Sequence, residues 1–501
     1  MKKLIAAVVF AAGLVTGVEA APTDAVTKAD LQALIERIAK LEAQNQAQAK
    51  RIAELEAADK KVAVAAPVAA PAAKVVAMDE GTTTNETGRI WTTAQGFKYY
   101  LADTSAKIFD PLSESGLKIT PYGYLVLEGV YSTRDLNGDY TTDWVNPDSQ
   151  KRNHTTLSVQ DSILGLQFET PEANHGWTFT GRGEIDLVDV NDFHQNGYGI
   201  HWRHLYVNAQ HESGWSILGG QTWHLWKIVT PSEIDGAWME NAGHPYRRSP
   251  QIRVTKKWDW EDSSFEARVG IVKGGPGMGE DRDGDLIQDN TASPWVLFET
   301  AFVYDHVASW QDDGRRWLVG FGGMYGRNRS HRWTGLGATG YDGGDEDDYD
   351  SMMGLFALSL PMGAFTLTGQ FFGGENLGGV QAGCAQTVSY NPNLFNCRGN
   401  EVRTIGGFVD LGYKLNDDWS CAIGGGCDDP VNSDVENHQG TSDIIYNDRA
   451  YICAFYQVTD NLKFGVEYAR LLTGFSENAI TGTQGGDYDA DRVQFTAFYD
   501  F

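Results

Sequence analysis

The sequence RVQFTAFYDF, residues 492–501, ends the chain and alternates between two kinds of side chain. One set is apolar and comprises Val493, Phe495, Ala497, Tyr499 and Phe501, whereas the other is polar and comprises Arg492, Gln494, Thr496 and Asp500; Phe498 is the exception. Because successive side chains of a β-strand point to opposite faces, a period of two predicts a strand with one apolar and one polar face.

The same alternation recurs from Ile119 onward. It predicts sixteen strands, which begin near residues 119, 155, 177, 200, 215, 250, 263, 294, 315, 349, 365, 402, 419, 448, 462 and 491. Long links such as 134–154 and 227–249 follow odd-numbered strands, and short links such as 212–214 follow even-numbered ones. An even strand count and loops sorted by length are typical of an all-β transmembrane barrel with its short turns in the periplasm. A soluble β-sandwich shares the local pattern but has no reason to sort its loops.

Composition supports this class. The 501 residues include 57 Gly and only 15 Pro, and after the first 20 residues no apolar run is long enough for a transmembrane helix. The formal net charge of -27 argues against a nucleic-acid partner, because nothing would offset the phosphates. Many acids crowd residues 342–350, a predicted rim, so net charge does not predict cation preference in a channel.

Four segments precede the predicted barrel of residues 119–501. Residues 1–20 have the layout of a signal peptide, and residues 21–56 carry a heptad seam that predicts a periplasmic α-helical coiled coil and self-association. The seam positions are Leu31, Leu34, Ile38, Leu41, Asn45, Gln48, Ile52 and Leu55. Residues 57–78 form an Ala/Pro-rich linker, and residues 79–118 are either a connection or a barrel plug.

Strand parity directs several charged side chains into the lumen. The cationic ones are Arg182, Arg253 and Arg268, and the acidic ones are Glu184, Asp186 and Glu266. Arginine stays charged and offers paired donors to carboxylates and phosphates, so these residues predict a constriction that favours anions. The alternative is that each arginine pairs with a lumenal carboxylate and braces the wall.

Four stretches in this order resemble the DcaP-like family of outer-membrane porins: residues 163–171, 202–207, 219–223 and 248–253. The resemblance implies a trimeric, sixteen-stranded barrel with an N-terminal coiled coil. It also implies that the loop at residues 227–249 folds into the lumen. The residues that this loop would bring to the constriction are Glu233, Asp235, Glu240, Arg247 and Arg248. The terminal Phe501 resembles the signal that the barrel-assembly machinery recognises.

Two predicted outer loops share the pattern D-x-[DN]-G-D-x-x-x-D. The oxygen-bearing residues are Asp135, Asn137, Asp139 and Asp143 in the first loop and Asp281, Asp283, Asp285 and Asp289 in the second. Alternating oxygens around a glycine turn suit Ca²⁺, so a calcium site in these loops is one hypothesis. Ordinary Asp/Asn/Gly turns are the other.

Five cysteines permit disulfides in an exported chain. Cys384 and Cys397 lie in one segment and are the preferred pair, whereas Cys421, Cys427 and Cys453 have no unique partner. No nucleophile–base or metalloprotease motif stands out, so the sequence predicts neither an enzyme nor a bound cofactor.

The sequence therefore predicts a porin in the outer membrane of a Gram-negative-type bacterium, with the coiled coil in the periplasm. It would pass small hydrophilic solutes by diffusion and favour anionic ones such as carboxylates. Its predicted partners are two further copies of the chain, outer-membrane lipid and the barrel-assembly machinery, without nucleic acid. Two alternatives stay open: a sugar-specific porin, which needs eighteen strands, and a structural tether between outer membrane and cell wall.

Overall fold

The fold is described from a computed structural model. It describes residues 116–138, 142–147, 153–171, 175–188, 198–274, 296–310, 314–331, 346–389, 399–435, 443–477 and 485–501. Internal contacts divide the chain into residues 1–81 and residues 82–501, and every described residue belongs to the second unit. The predicted signal peptide, coiled coil and linker, and residues 79–115 of the connecting segment, lie outside the described residues.

Nineteen strands and two short helical turns make up the described fold. The strands are β1 Lys118–Ser132, β2 His154–Ser158, β3 Ile163–Glu169, β4 Trp177–Val188, β5 Tyr198–His211, β6 Trp215–Trp223, β7 Arg248–Asp259, β8 Ser263–Lys273, β9 Val296–Val307, β10 Arg316–His331, β11 Glu346–Met362, β12 Phe365–Glu375, β13 Val388–Ser389, β14 Asn400–Glu401, β15 Arg403–Lys414, β16 Trp419–Pro430, β17 Ile444–Gln457, β18 Leu462–Phe475 and β19 Gly486–Asp500. A 3₁₀ turn spans Gly378–Val380, and the helical turn α1 spans Asn432–Val435.

Seventeen of these strands form one closed antiparallel sheet, and β13 pairs separately with β14. Both β2 and β3 pair with β1, so they act as one strand interrupted at residues 159–162. With β2 and β3 counted as one strand, the barrel has sixteen strands, as predicted. The second of these was expected to be continuous. Pairing of β1 with β19 closes the barrel.

The outer and inner faces of the barrel differ in polarity. Outward side chains such as Leu125, Ile252 and Phe495 are half or more exposed, whereas inward neighbours such as Gln494 and Thr496 are buried. Phe498, the exception to the alternation, also points inward and is buried. An apolar exterior with a polar interior is the arrangement that a lipid-embedded barrel requires.

Short and long links occupy opposite rims. One rim has the links at residues 170–176, 212–214, 260–262, 308–315, 363–364, 415–418 and 458–461. Gly214 and Gly363 have φ values of +86° and +62°, which glycine adopts without steric cost in tight turns. Exposed aromatic side chains surround this rim, as at a membrane interface: Trp215, Trp258, Trp260, Trp310, Phe365, Trp419, Tyr456 and Tyr499. The predicted sorting of the links is confirmed.

The hydrophobic core lies inside the barrel. Leu225, Trp226 and Met239 from the link between β6 and β7 are fully buried against inward wall residues such as Met324 and Phe408. None of the described helices has the length and hydropathy needed to cross a membrane.

The closing seam depends on Gly123 in β1. Gly123 N donates to the carbonyl oxygen of Phe501 at 3.3 Å, and Phe501 N donates to the carbonyl oxygen of Gly123 at 3.1 Å. A Cβ atom at Gly123 would lie 2.4 Å from the carbonyl oxygen of Ile163 and 2.8 Å from the ring of Phe501. Only glycine therefore fits between the two neighbouring strands here.

We predict that Gly123→Ala destabilises the barrel by about 1–3 kcal/mol, because the added methyl group overpacks the seam. Gly129→Ala in the same strand is the matched control, since its nearest neighbour would be Leu157 Cδ1 at 3.7 Å. Urea unfolding followed by tryptophan fluorescence measures both variants. Equal unfolding midpoints for the two would contradict the role of Gly123.

Candidate functional site

The link between β6 and β7, residues 224–247, is called the lumen loop. Almost all of it is buried, including the charged residues Glu233 and Asp235. Its main chain reaches the far wall, where Ser232 N donates to Tyr451 Oη at 3.2 Å and Ile234 N donates to Glu467 Oε2 at 2.6 Å. The loop implied at residues 227–249 is thus found inside the barrel, with slightly earlier bounds.

Glycines of the inner wall seat the lumen loop. A Cβ atom at Gly320 would lie 2.7 Å from Ile228, and one at Gly465 would lie 2.8 Å from Ile234. On the β15–β16 wall, a Cβ at Gly426 would meet the carbonyl oxygen of Ala242 at 2.5 Å. The loop therefore packs on the wall at distances that larger residues would not allow.

Buried ion pairs pin the loop to the strands β17 to β19. Arg449 Nη1 lies 2.6 Å from Glu233 Oε1 and 3.3 Å from Asp235 Oδ2. Arg492 Nη1 lies 3.1 Å from Asp235 Oδ2 and 3.7 Å from Glu467 Oε1. All five side chains are at most 1% exposed, so these ion pairs are withdrawn from solvent.

The opposite wall carries arginine–carboxylate pairs that face the lumen. Arg182 pairs with Glu184 and donates to Tyr122 Oη, while Tyr122 donates to Glu184 at 2.8 Å. Arg268 pairs with Glu266 and donates to the carbonyl oxygen of Leu225 at 3.0 Å. Both arginines therefore pair with a lumenal carboxylate, as the alternative of a braced wall predicted.

Arg203 belongs to this wall, although strand parity did not identify it. The pairing of β4 with β5 shifts register between Glu184 and Ile185, which lets both Arg203 and His204 face inward between the exposed Trp202 and Leu205. Arg203 donates to Glu184 Oε1 at 2.9 Å and to Asp186 Oδ2 at 2.7 Å. A β-bulge changes the direction of a side chain in this way. The only sign of it in the sequence is that two outward apolar residues, Trp202 and Leu205, are three residues apart instead of two.

Arg253, Arg247 and Arg248 take different positions. Arg253 is buried on the inner face of β7. Arg247 Nη1 donates to the carbonyl oxygen of Gly379 at 3.1 Å, so it braces another segment. Arg248 stacks on Trp223 at 4.4 Å, and its Nη1 has no hydrogen-bond partner among the described residues.

Three aromatic rings surround Lys227 beside Arg248. The centroids of Trp223, Trp238 and Tyr246 lie 5.6 Å to 5.9 Å apart, and Lys227 Nζ is 4.3 Å, 4.5 Å and 5.3 Å from them. Burial, and then Arg248 and Arg203, lower the pKa of Lys227 well below its usual value. Burial thus disfavours the charged form of Lys227, whereas the neighbouring arginines stay charged.

Glu240, the remaining predicted loop residue, accepts a hydrogen bond from Tyr246 at 3.2 Å. Burial, and then the nearby carboxylate of Asp143, raise the pKa of Glu240 well above its usual value. Burial thus disfavours the charged form of Glu240.

The predicted calcium ligands are only partly described. Asp143 Oδ1 accepts a hydrogen bond from Asn241 of the lumen loop at 3.2 Å, and Asn447 Nδ2 donates to the Asp143 carbonyl oxygen at 2.8 Å. Burial raises the pKa of Asp143 to about 7. This part of the supposed outer loop therefore turns into the barrel, which corrects its expected position.

No group of three His, Cys, Asp or Glu side chains suited to a metal occurs in the described ranges. Asp139 and the second motif lie outside those ranges, so the calcium hypothesis stays a prediction. Cys397 is outside them too, which leaves its pairing with buried Cys384 untested. Phe501 is 41% exposed at the short-turn rim, and its role in assembly also stays a prediction.

The barrel is similar to solved outer-membrane channels. The outer-membrane channel DcaP of Acinetobacter baumannii matches with a TM-score of 0.57 and 15% identity, over 77% of this chain and 97% of that one. The anion-selective porin from Comamonas acidovorans matches with a TM-score of 0.48 and 12% identity, over 77% of this chain and 100% of that one. No family model and no curated protein matches the sequence. The comparisons confirm the porin-type barrel fold, and membership of the DcaP-like family stays a prediction.

We predict that Arg449→Met destabilises the protein by about 3–5 kcal/mol, because Glu233 and Asp235 lose their shared buried partner. Arg470→Met removes an exposed arginine from a pair with Asp489 and Asp491, and should cost about 0–1 kcal/mol. Urea unfolding midpoints of the detergent-solubilised variants measure the difference. If the two substitutions cost the same, the ion pairs do not pin the loop.

Proposed function

We propose that the protein is an outer-membrane porin through which small hydrophilic solutes diffuse past a constriction. The observation that carries this proposal is a closed sixteen-stranded barrel, apolar outside and charged inside, that is narrowed by its own buried lumen loop. A wall of this kind separates lipid from an aqueous path without a transmembrane helix. No cofactor and no catalytic step are needed.

We further propose that the channel favours anions, carboxylates among them. Support comes from the ion pairs of β4 and β5, in which the arginine is more exposed than its carboxylate partner. Arg182 is 23% exposed and its partner Glu184 is 2% exposed, and Arg203 at 13% likewise covers both Glu184 and Asp186. Two acids of the lumen loop, Glu233 and Asp235, are buried between the loop and the wall. A passing solute would therefore meet guanidinium groups before carboxylates.

Arg248 adds to this face. It is held by Trp223 through its guanidinium plane, and its positive charge adds to the potential that an anionic solute would meet. Arg268 and Arg253 extend the basic wall along β7 and β8. The proposed constriction thus has Arg182, Arg203, Arg248, Arg253 and Arg268 on one side.

Location and partners follow from the same proposal. The exposed apolar band and the aromatic rim suit outer-membrane lipid, and Phe501 suits recognition by the barrel-assembly machinery. We propose a homotrimer with its coiled coil in the periplasm. Support for the trimer is the heptad pattern of residues 21–56 and the resemblance to trimeric porins.

The two alternatives have less support. A sugar-specific porin of the predicted type needs eighteen strands, whereas the described barrel closes with sixteen. The lumenal aromatic cluster of this barrel, which comprises Trp223, Trp238 and Tyr246, surrounds Lys227 instead of forming an open track for a sugar. A structural tether would rest on residues 21–78, outside the described part of the chain.

We predict anion preference in planar bilayers, measured as the reversal potential in a KCl gradient. Arg248→Gln should shift that potential toward the cation side, because it removes a lumenal charge without breaking an ion pair. Arg470→Gln, on the outer surface, should leave it unchanged. Cation preference of the unmodified protein would refute the arginine constriction, and absence of conductance would refute the porin itself.

A further inference from the structure

Two other segments enter the barrel beside the lumen loop. The first insert comprises residues 133–138 and 142–147, and the second insert comprises residues 376–389. Val145 N of the first insert donates to Thr473 Oγ1 at 3.0 Å, and Gln386 Nε2 of the second donates to the carbonyl oxygen of Ile444 at 2.7 Å. Val145, Thr142, Leu377 and Cys384 are completely buried. Both inserts therefore lie against the inner wall rather than on the outer rim.

The three segments meet at Asn241 of the lumen loop. Its side-chain Nδ2 donates to Asp143 Oδ1 of the first insert at 3.2 Å, and its Oδ1 accepts from Ala385 N of the second at 3.0 Å. Its main-chain N donates to the carbonyl oxygen of Gln381 at 3.3 Å. One residue thus bonds to both inserts.

The wall completes this junction. The main-chain oxygen of Asn241 accepts from Asn447 Nδ2 of β17 at 2.7 Å, and the same amide group donates to the carbonyl oxygen of Asp143. Asn241 has a φ of +52°, in the left-handed region that asparagine tolerates better than most residues. A residue that is 2% exposed, left-handed and fully engaged is suited to setting the position of what it joins.

Charged contacts connect the same segments nearby. Arg449 donates to the carbonyl oxygen of Thr142 as well as to Glu233, and Arg247 donates to the carbonyl oxygen of Gly379. The middle of the lumen loop is therefore anchored by ion pairs. Its return half, from Asn241 to Arg247, packs on the wall at Gly426 and is also bonded to both inserts.

We propose that Asn241 is a positioning residue that joins the lumen loop and both inserts into one constriction. The size limit of the channel then depends on three chain segments and not on the lumen loop alone. This inference rests on the proposed porin function. Loss of the Asn241 side chain should loosen the return half of the loop and widen the passage, while the arginine wall stays in place.

Asn241→Gly tests this most directly, because glycine keeps the left-handed backbone and removes only the side-chain bonds to Asp143 and Ala385. His175→Gly is the control. His175 is also left-handed, with a φ of +70°, but it lies in the link at residues 170–176 on the short-turn rim, outside the lumen loop and both inserts. Swelling of proteoliposomes in neutral oligosaccharides of increasing length measures the size limit, and gel mobility before and after heating verifies folding.

We expect Asn241→Gly to admit longer oligosaccharides, with swelling rates several-fold above the unmodified protein, and His175→Gly to match the unmodified protein. The double variant Asn241→Asp, Asp143→Asn exchanges donor and acceptor and should restore the original limit. A folded Asn241→Gly protein with an unchanged size limit would overturn the inference. An unmodified protein that passes neither ions nor sugars would instead overturn the porin function on which it rests.

Discussion

Every backbone N–H and C=O group of a segment that crosses lipid needs a partner within the protein, because the bilayer core offers none. The pairing of β1 with β19 meets this requirement for the last open edge and makes the sheet a barrel. Closure then dictates the rest. Side chains must alternate between lipid and lumen, so half of every strand is available for polar chemistry without exposing it to lipid.

The polar half is divided into two electrostatic regions. Between the lumen loop and strands β17 to β19, acids and arginines neutralise one another in a dry layer, where removal of one partner costs far more than the pair contributes. On β4 and β5, the buried carboxylates of Glu184 and Asp186 bind arginines that are more exposed to the lumen. The same residue types therefore hold the structure on one side and face the solute path on the other.

The barrel was predictable because its pattern is local. Alternation within single strands and the sorting of links predicted the starts of the sixteen barrel strands to within a few residues. Features that depend on two chain segments were not predictable from a single sequence. The bulge at Arg203 arises from the register between β4 and β5. Wall glycines such as Gly426 and Gly465 became informative only once the lumen loop was known to lie on them, and the inward course of Asp143 follows from its bonds to Asn241 and Asn447. Strand parity predicted that Arg182 and Arg268 face the lumen. It could not predict how exposed their carboxylate partners are, because exposure depends on packing.

Because wall glycines contact the lumen loop closely, the two sides of the barrel differ in how readily they accept substitutions. On β15 to β18 the wall and the lumen loop are fitted backbone to backbone, so a new side chain there requires a compensating change in the loop. On the wall from β4 to β8, a substitution of Arg248 requires no compensating change in the lumen loop. An engineer who wants the barrel to carry a different cargo can therefore re-line that side residue by residue and treat the other as fixed scaffold. Natural drift in this chain is expected to obey the same division.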